Sequence, residues 1–392
     1  MCADRDARAV TPAETAIRAE IARRGPIPFA DFMALALGHP EGGYYTAPTA
    51  RPTRGGDFLT AAELHPIFGA ALARQVAEAW ERLGRPSPFT LVEYGAGAGT
   101  LAMAILAGLL DDGSPLADAV VYAPVELNRH RMAELRARAK AAGLPVVDAA
   151  GLDGAPAAGV VIASEYLDAL PVHVVEVREG RPREVHVGIG CDGAFEDVFG
   201  ELSDDAVATS LGALGVAGIE LAEGQRLEVR PAVEAWAREV GRRLATGLVL
   251  VLDYGAPAAD LYGPRRQSGT LMTYQGHVAD GAADAPYRHV GERDMTAHVD
   301  TTALGAAFAG AGLDLLGETS QAELLVGCGL EELVGRRQAA LAAASEALEL
   351  RSAVMRLLDP RHLGGFRAVL AGRGMAAEPP LRGLSYRGPR RR

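Results

Sequence analysis

Apolar positions recur along the chain with two periods, and the switch between them maps its organisation. Ile17, Ile21, Phe29, Phe32 and Leu35 fall on a helical repeat behind Thr11 as N-cap and Pro12 at the first helical position. Residues 12–38 are therefore predicted to be helical, divided by Pro26 and Pro28. A Gly/Pro-rich loop spans residues 38–56, and Leu64, Phe68, Leu72, Val76 and Trp80 then recur every four residues, predicting a helix over 63–83. From 89 to 170 short apolar runs alternate with helical patterns. Phe89–Glu93 reads as a buried strand, Leu101–Leu110 as a helix, Val120–Glu126 as a second strand and Arg129–Ala142 as a helix closed by Gly143. Val146–Val147 makes a short third strand, Val160–Ala163 a fourth, and Leu248–Leu252, between Gly247 and Asp253, a fifth. Such alternation implies a parallel sheet with right-handed crossovers.

Two long stretches interrupt this scheme. About 80 residues separate the fourth and fifth strands, where a simple unit needs about 20. Within them Val172–Arg178 and Arg183–Ile189 pair as a hairpin around Glu179-Gly180, and Glu228–Ala245 reads as helix. A second irregular segment, residues 255–299, is rich in Gly, Tyr and His. A helix over 301–311, a strand over 313–317, helix from 321 to 358 and a strand over 366–371 complete the pattern. The expected organisation is a helical N-terminal region (12–83) and a Rossmann-like domain (84–171 and 248–372). Insertions at 172–247 and 255–299 should roof the sheet's carboxyl edge, and a tail follows at 373–392.

Composition narrows the function. Apolar residues make up 49 % of the 392, ample for a large core. A net charge of −11 opposes broad nucleic-acid binding, the basic end Arg390-Arg391-Arg392 being a short solvated run. The longest apolar run, Leu101–Leu110, is too short to span a bilayer, and the first residues lack a secretion signal's apolar core. Cys2, Cys191 and Cys328 are far apart with no metal spacing, so a reducing cytoplasm is expected and a metal is not.

The chemistry concentrates at strand ends. In Leu91-Val92-Glu93-Tyr94-Gly95-Ala96-Gly97-Ala98-Gly99-Thr100 a strand ends beside an acid and three glycines precede a helix, so a ligand can lie against bare backbone. The spacing is GxGxG, and Thr100 stands where a dinucleotide fingerprint has its third glycine. An acid two residues before the loop suits a cationic amino-acid cofactor, and the helix N-terminus can meet a carboxylate. Glu126, ending the second strand, can accept ribose hydroxyls. Together these favour S-adenosylmethionine over a nicotinamide cofactor. At the end of the fourth strand, Ser164-Glu165-Tyr166-Leu167-Asp168 puts two carboxylates where they could converge on an acceptor, although Ser164 and Asp168 could equally be helix caps.

With these residues in view, the chain resembles the MidA family of methyltransferases, the family of the mitochondrial complex I assembly arginine methyltransferase. The matching stretches are Gly42-Gly43-Tyr44-Tyr45, Gly56-Asp57-Phe58-Leu59-Thr60 with Glu63, Phe68-Gly69, the Glu93–Thr100 loop and Ser164–Pro171. Asp253-Tyr254-Gly255, Gly269-Thr270-Leu271 and Asp294–Asp300 follow in the same order. The resemblance implies a class I methyltransferase sheet with an inserted substrate-site subdomain. It implies cofactor binding by Glu93, Gly95, Gly97 and Glu126, with Gly99 in the same loop and Asp57 and Thr60 closing over the cofactor. It also implies a protein arginine or related nitrogen as acceptor. Family members carry an Arg-containing segment near 274–277, whereas this chain has Tyr274-Gln275-Gly276-His277.

Methyl transfer mainly requires alignment and exclusion of water. For an arginine acceptor, Glu165 and Asp168 would hold the protonated guanidinium bidentately. For a hydroxyl or small amine, His298 with Asp300, or His277, would serve as base. Three readings stand: a protein methyltransferase, a small-metabolite methyltransferase, and a cofactor-binding assembly factor without turnover. A homodimeric assembly is left open.

Overall fold

The structure, a computed structural model, describes residues 10–47, 60–276, 278–341 and 343–386. The chain forms two compact units, each discontinuous in sequence. One gathers residues 10–47, 169–232 and 259–297; the other gathers 60–168, 233–258 and 298–386.

The second unit is built on a six-stranded sheet. Its strands are β1 (Phe89–Tyr94), β2 (Val120–Val125), β3 (Ala157–Ser164), β4 (Leu244–Asp253), β5 (Asp314–Ser320) and β6 (Arg367–Arg373). The order across the sheet is β5-β6-β4-β3-β1-β2. The first four are mutually parallel, but β6 runs antiparallel to both β4 and β5. This corrects the all-parallel expectation: a continuous apolar run such as Ala368–Ala371 marks a buried strand but reads the same in either direction. Val146–Val147 is no ladder strand either. Val146 makes a single bridge to Tyr122, because Asp148 immediately caps a 3-10 turn by accepting from the Ala150 N–H at 3.0 Å. The predicted helix over 228–245 begins late and ends early. Arg226–Val229 is a strand of the other unit, Pro231 interrupts it, and Leu244 already opens β4.

Helices cover the sheet. The repeat Leu64, Phe68, Leu72, Val76, Trp80 is wholly buried, as its period requires, but Pro66 breaks it into α1 (Ala61–Leu64) and α2 (Ile67–Arg82). Helix α3 (Thr100–Asp111) follows β1, α4 (Arg129–Ala141) follows β2, and α5 (Ala232–Arg243) precedes β4. Small residues let α2 and α3 cross closely: a Cβ on Gly69 would stand 2.4 Å from the Ala104 Cβ, and one on Gly108 2.7 Å from the Ala70 Cα. The expected single helix over 321–358 is three, Gln321–Gly327, Leu330–Ala340 and Ala344–Leu358, the first two divided at Gly329 in the left-handed region (φ 80°). No helix among the described residues is long and apolar enough to cross a membrane.

In the first unit, helices Pro12–Arg24 and Phe29–Gly38 pack on a five-stranded sheet formed mostly by the insertion, including the expected hairpin His173–Arg178/Arg181–Ile189. Their apolar faces join one core: Ile17, Ile21, Phe29 and Phe32 with Val174, Val185, Phe195 and Met295. Residues 12–47 thus fold with the insertions, and only 60–83 belongs with the Rossmann-like sheet. Buried Glu228 pins the segment after Gly269, accepting from the Thr270 N–H at 2.8 Å, its hydroxyl at 3.0 Å and the Leu271 N–H at 3.3 Å.

Alanine favours helix over glycine by about 1 kcal/mol, yet overpacking costs about 1–3 kcal/mol. Gly69→Ala should therefore lower the melting temperature, as followed by calorimetry, and an unchanged or higher value would show that the α2–α3 crossing gives way.

Candidate active site

Three connections at the carboxyl ends of β1, β2 and β3 build the site within the second unit. The first is the glycine loop. Gly95, Gly97 and Gly99 all adopt left-handed φ, at 68°, 54° and 75°. The N–H groups of Gly95 and Ala96 both donate to the Val125 carbonyl, at 3.0 and 3.2 Å, tying the loop to the end of β2. Arg138 on α4 donates to the Ala98 carbonyl at 2.9 Å and the Thr100 hydroxyl at 3.3 Å. The glycines differ in what surrounds them. A Cβ on Gly95 would press Tyr166 at 3.1 Å and one on Gly99 would press Leu135 at 3.0 Å, whereas one on Gly97 would meet nothing within 4 Å. Open space therefore lies over Gly97, in front of the amino end of α3.

Two acids flank the loop in different states. Glu93 lies inside β1, 6 % exposed, and accepts from the Tyr122 hydroxyl. Burial pushes its carboxyl up to about 7, against that hydrogen bond, and the charge of Glu126 adds to the rise. Glu126, just past β2, is held by backbone: its Oε2 accepts from the Gly97 N–H and its Oε1 from the Asn128 N–H, both at 2.7 Å. Its carboxylate thus joins the loop to the start of α4. Thr60 caps α1, accepting from the Glu63 N–H at 3.3 Å. Asp57 and His277 lie outside the described residues.

The third connection follows β3. Asp253, the last residue of β4, accepts with Oδ2 from three consecutive amides: Tyr166 at 3.2 Å, Leu167 at 2.8 Å and Asp168 at 3.2 Å. Its Oδ1 accepts from the Tyr254 N–H at 2.9 Å. This clasp fixes a sharp turn in which Glu165 sits at φ 51°, a backbone state that non-glycine residues seldom adopt. The Glu165 Oε1 accepts from the Ala61 N–H at 2.8 Å, while its Oε2 is sealed from solvent and has no hydrogen-bond partner. Burial pushes the carboxyl up to about 8, opposed by the Ala61 bond and reinforced by the charges of Asp253 and Glu63.

The expected pair, Glu165 and Asp168, lies in the turn that Asp253 holds. Asp168 is only 4 % exposed with its amide on Asp253, and the carboxylates whose charges reach Glu165 are Asp253 and Glu63. No helix follows β3, so Ser164 and Asp168 are not caps. His298 is half-buried beside the end of β4, stacked on Tyr254 with ring centroids 6.3 Å apart, and Tyr254 in turn packs on Phe366 at 4.0 Å. Glu63 and Asp253 stand in the stretches that carry the family resemblance, but the sequence reading gave neither a role. The strand-end rule that picked out Glu93 and Glu126 also points to Asp253, and Glu63 is marked only by its place three residues after Thr60.

A family model described as "Putative S-adenosyl-L-methionine-dependent methyltransferase" matches residues 71–319, well over half of the chain. The chain belongs to this methyltransferase family. A crystal structure of a COG1565 superfamily member from Burkholderia thailandensis, bound to S-adenosyl-homocysteine, is 33 % identical with a TM-score of 0.81. The match covers 95 % of this chain and 94 % of that one. The Drosophila melanogaster protein arginine methyltransferase NDUFAF7 homolog, mitochondrial, is 29 % identical over 72 % of this chain and 67 % of its own length. The Homo sapiens protein arginine methyltransferase NDUFAF7, mitochondrial, is 27 % identical over 74 % and 67 %. The chain is thus an S-adenosylmethionine-dependent methyltransferase, and the nicotinamide and non-catalytic readings fall away.

Glu165 supplies a pH test with a definite sign. Its folded pKa of about 8 lies above the usual carboxyl value of 4.5. Between those values the unfolded chain has released a proton that the fold retains, so stability drains away as pH rises through the window. Glu165→Gln removes this cost. The variant's melting temperature should match the wild type near pH 4.5 and exceed it by on the order of 5 °C near pH 8.5. A difference independent of pH would show that the carboxyl titrates normally.

Proposed function

We propose that this methyltransferase acts on a side-chain nitrogen of arginine in a protein acceptor, with Glu165 receiving the acceptor. The observation that carries the reading is the Glu165 carboxylate, fixed at the sheet's carboxyl edge with one oxygen sealed and lacking any donor. Guanidinium is a planar array of N–H donors that never loses its charge near neutral pH, so on arrival it favours the ionised form of Glu165 and can donate to the oxygen that lacks a partner. The names of the fly and human relatives support the same acceptor class.

S-adenosylmethionine would be held by the glycine loop and its flanking acids, and the residues fit it. Open space over Gly97 admits a ligand against bare backbone, and Glu126 already faces that loop with its carboxylate oriented by two amides. A carboxylate offers four lone-pair sites, so two remain for ribose hydroxyls. Glu93, Gly95, Gly99, Thr60 and Asp57 complete the proposed set. When bound, the cofactor would supply an electrophilic methyl group, the bonding pair staying on the departing sulfur and the proton of the methylated nitrogen passing to solvent. Glu165 orients the nitrogen and balances its charge. The cytoplasm is the compartment we propose, a reading supported by Cys191 and Cys328 being free thiols.

Radiolabelled S-adenosylmethionine, incubated with the enzyme and cell lysate, should label protein, and acid hydrolysis should release methylarginine. Label confined to small molecules would replace the acceptor class. Glu165→Gln should cut turnover by at least about 100-fold, as for loss of a charged contact realised at the reacting centre, while S-adenosylhomocysteine affinity holds. Glu126→Ala should instead weaken that affinity by about 1.5–3 kcal/mol in calorimetry, the range for a hydrogen bond to a charged group. An unchanged dissociation constant would leave Glu126 as a loop brace alone.

A further inference from the structure

Glu165 is one of two glutamates, among the described residues of this unit, with a carboxylate oxygen sealed from solvent and without a hydrogen-bond partner. The other is Glu63, again through Oε2. A buried acceptor left without a donor costs about 1–3 kcal/mol, so two of them in one place need a reason. The two belong together. Glu165 Oε1 takes the N–H of Ala61, the first residue of the turn on which Glu63 is the third, and the charge of Glu63 raises the Glu165 pKa. Asp253 adds a further negative charge from β4, and burial raises the Glu63 carboxyl while Arg131 on α4 opposes the rise.

The charge of Glu63 reaches Glu165, and one positively charged group rich in donors would satisfy the sealed oxygen of each. A metal ion is a poor match, since no set of three or more His, Cys, Asp or Glu among the described residues is arranged to hold one. An organic cation with several N–H bonds on one planar edge can give one donor to each oxygen.

We propose that Glu63 is the second carboxylate of the acceptor seat, receiving the cationic nitrogen group together with Glu165. The inference rests on the arginine reading above and adds a residue from a different element, the short helix after Thr60. In this arrangement the acceptor group is held on two sides, so its free nitrogen has one direction in which to point. A cation between the two carboxyls favours their ionised forms, which in turn favours charged acceptors over neutral amides.

The test is calorimetric titration of the full chain, saturated with S-adenosylhomocysteine, using ethylguanidinium chloride as probe and ethylurea as its neutral isostere. The wild type should bind ethylguanidinium and not ethylurea. Glu63→Gln should weaken ethylguanidinium binding by about ten-fold or more, as expected for loss of one charge-assisted partner, with S-adenosylhomocysteine affinity within about two-fold of wild type as the check on folding. Should Glu63→Gln also lose S-adenosylhomocysteine, the same criterion is applied to Glu63→Asp, which keeps the charge but shortens its reach. Wild-type ethylguanidinium affinity in the variant that still binds S-adenosylhomocysteine would overturn the role of Glu63 and leave the arginine reading standing. No ethylguanidinium binding by the wild type would overturn both.

Discussion

The candidate site depends on one carboxylate that touches no ligand in any role proposed above. Asp253 ends β4 and gathers three successive amides of the turn after β3. Hydrogen bonds to a charged acceptor are worth about 1.5–3 kcal/mol each when buried, enough together to hold Glu165 in a left-handed backbone state that costs on the order of 1–3 kcal/mol. Without that clasp the turn would relax, the Glu165 side chain would leave the Ala61 amide, and α1 would lose the contact that docks its first turn. The position of Tyr166 over Gly95 follows from the same turn, so the clasp also shapes the glycine loop.

The electrostatics of this edge are one-sided. The charge of Glu126 acts on Glu93 and those of Glu63 and Asp253 act on Glu165, while Arg131 acts on Glu63, and the fold tolerates these acids by two different means. Glu126 and Asp253 are satisfied by backbone N–H groups. Glu93 and Glu165 are buried enough that their protons are held near neutral pH. A carboxyl that keeps its proton until a cation arrives stores no repulsion in the free enzyme, and the charge appears when it is needed.

What could be read from the chain was what is local. The glycine loop, the Thr11 helix cap and the acids at strand ends have signatures within ten residues, and the structure places the loop and Glu126 together at the sheet's carboxyl edge. What could not be read was partnership. Phe29 and Phe32 show a helical period, but nothing near them says that both pack on Tyr287 and that Phe32 also packs on Phe195. Glu228 looked like helix because its neighbours are good helix formers, yet its buried carboxylate is committed to Thr270 and Leu271. Asp168 and Glu165 are close in sequence and were paired for that reason, while the acids that do act on Glu165 come from residues 63 and 253.

The place of β6 in the sheet has a consequence for how the chain comes to be assembled. It is made after every other strand, yet it fills the gap between β4 and β5. Until residue 373 has left the ribosome, the apolar edge of β4, from Leu248 to Leu252, has no neighbour on that side and β5 has nowhere to attach. A nascent chain paused there presents an unpaired hydrophobic strand edge, the kind of surface that invites pairing with other chains. The sheet therefore closes only once β6 has emerged, after both of the strands it joins.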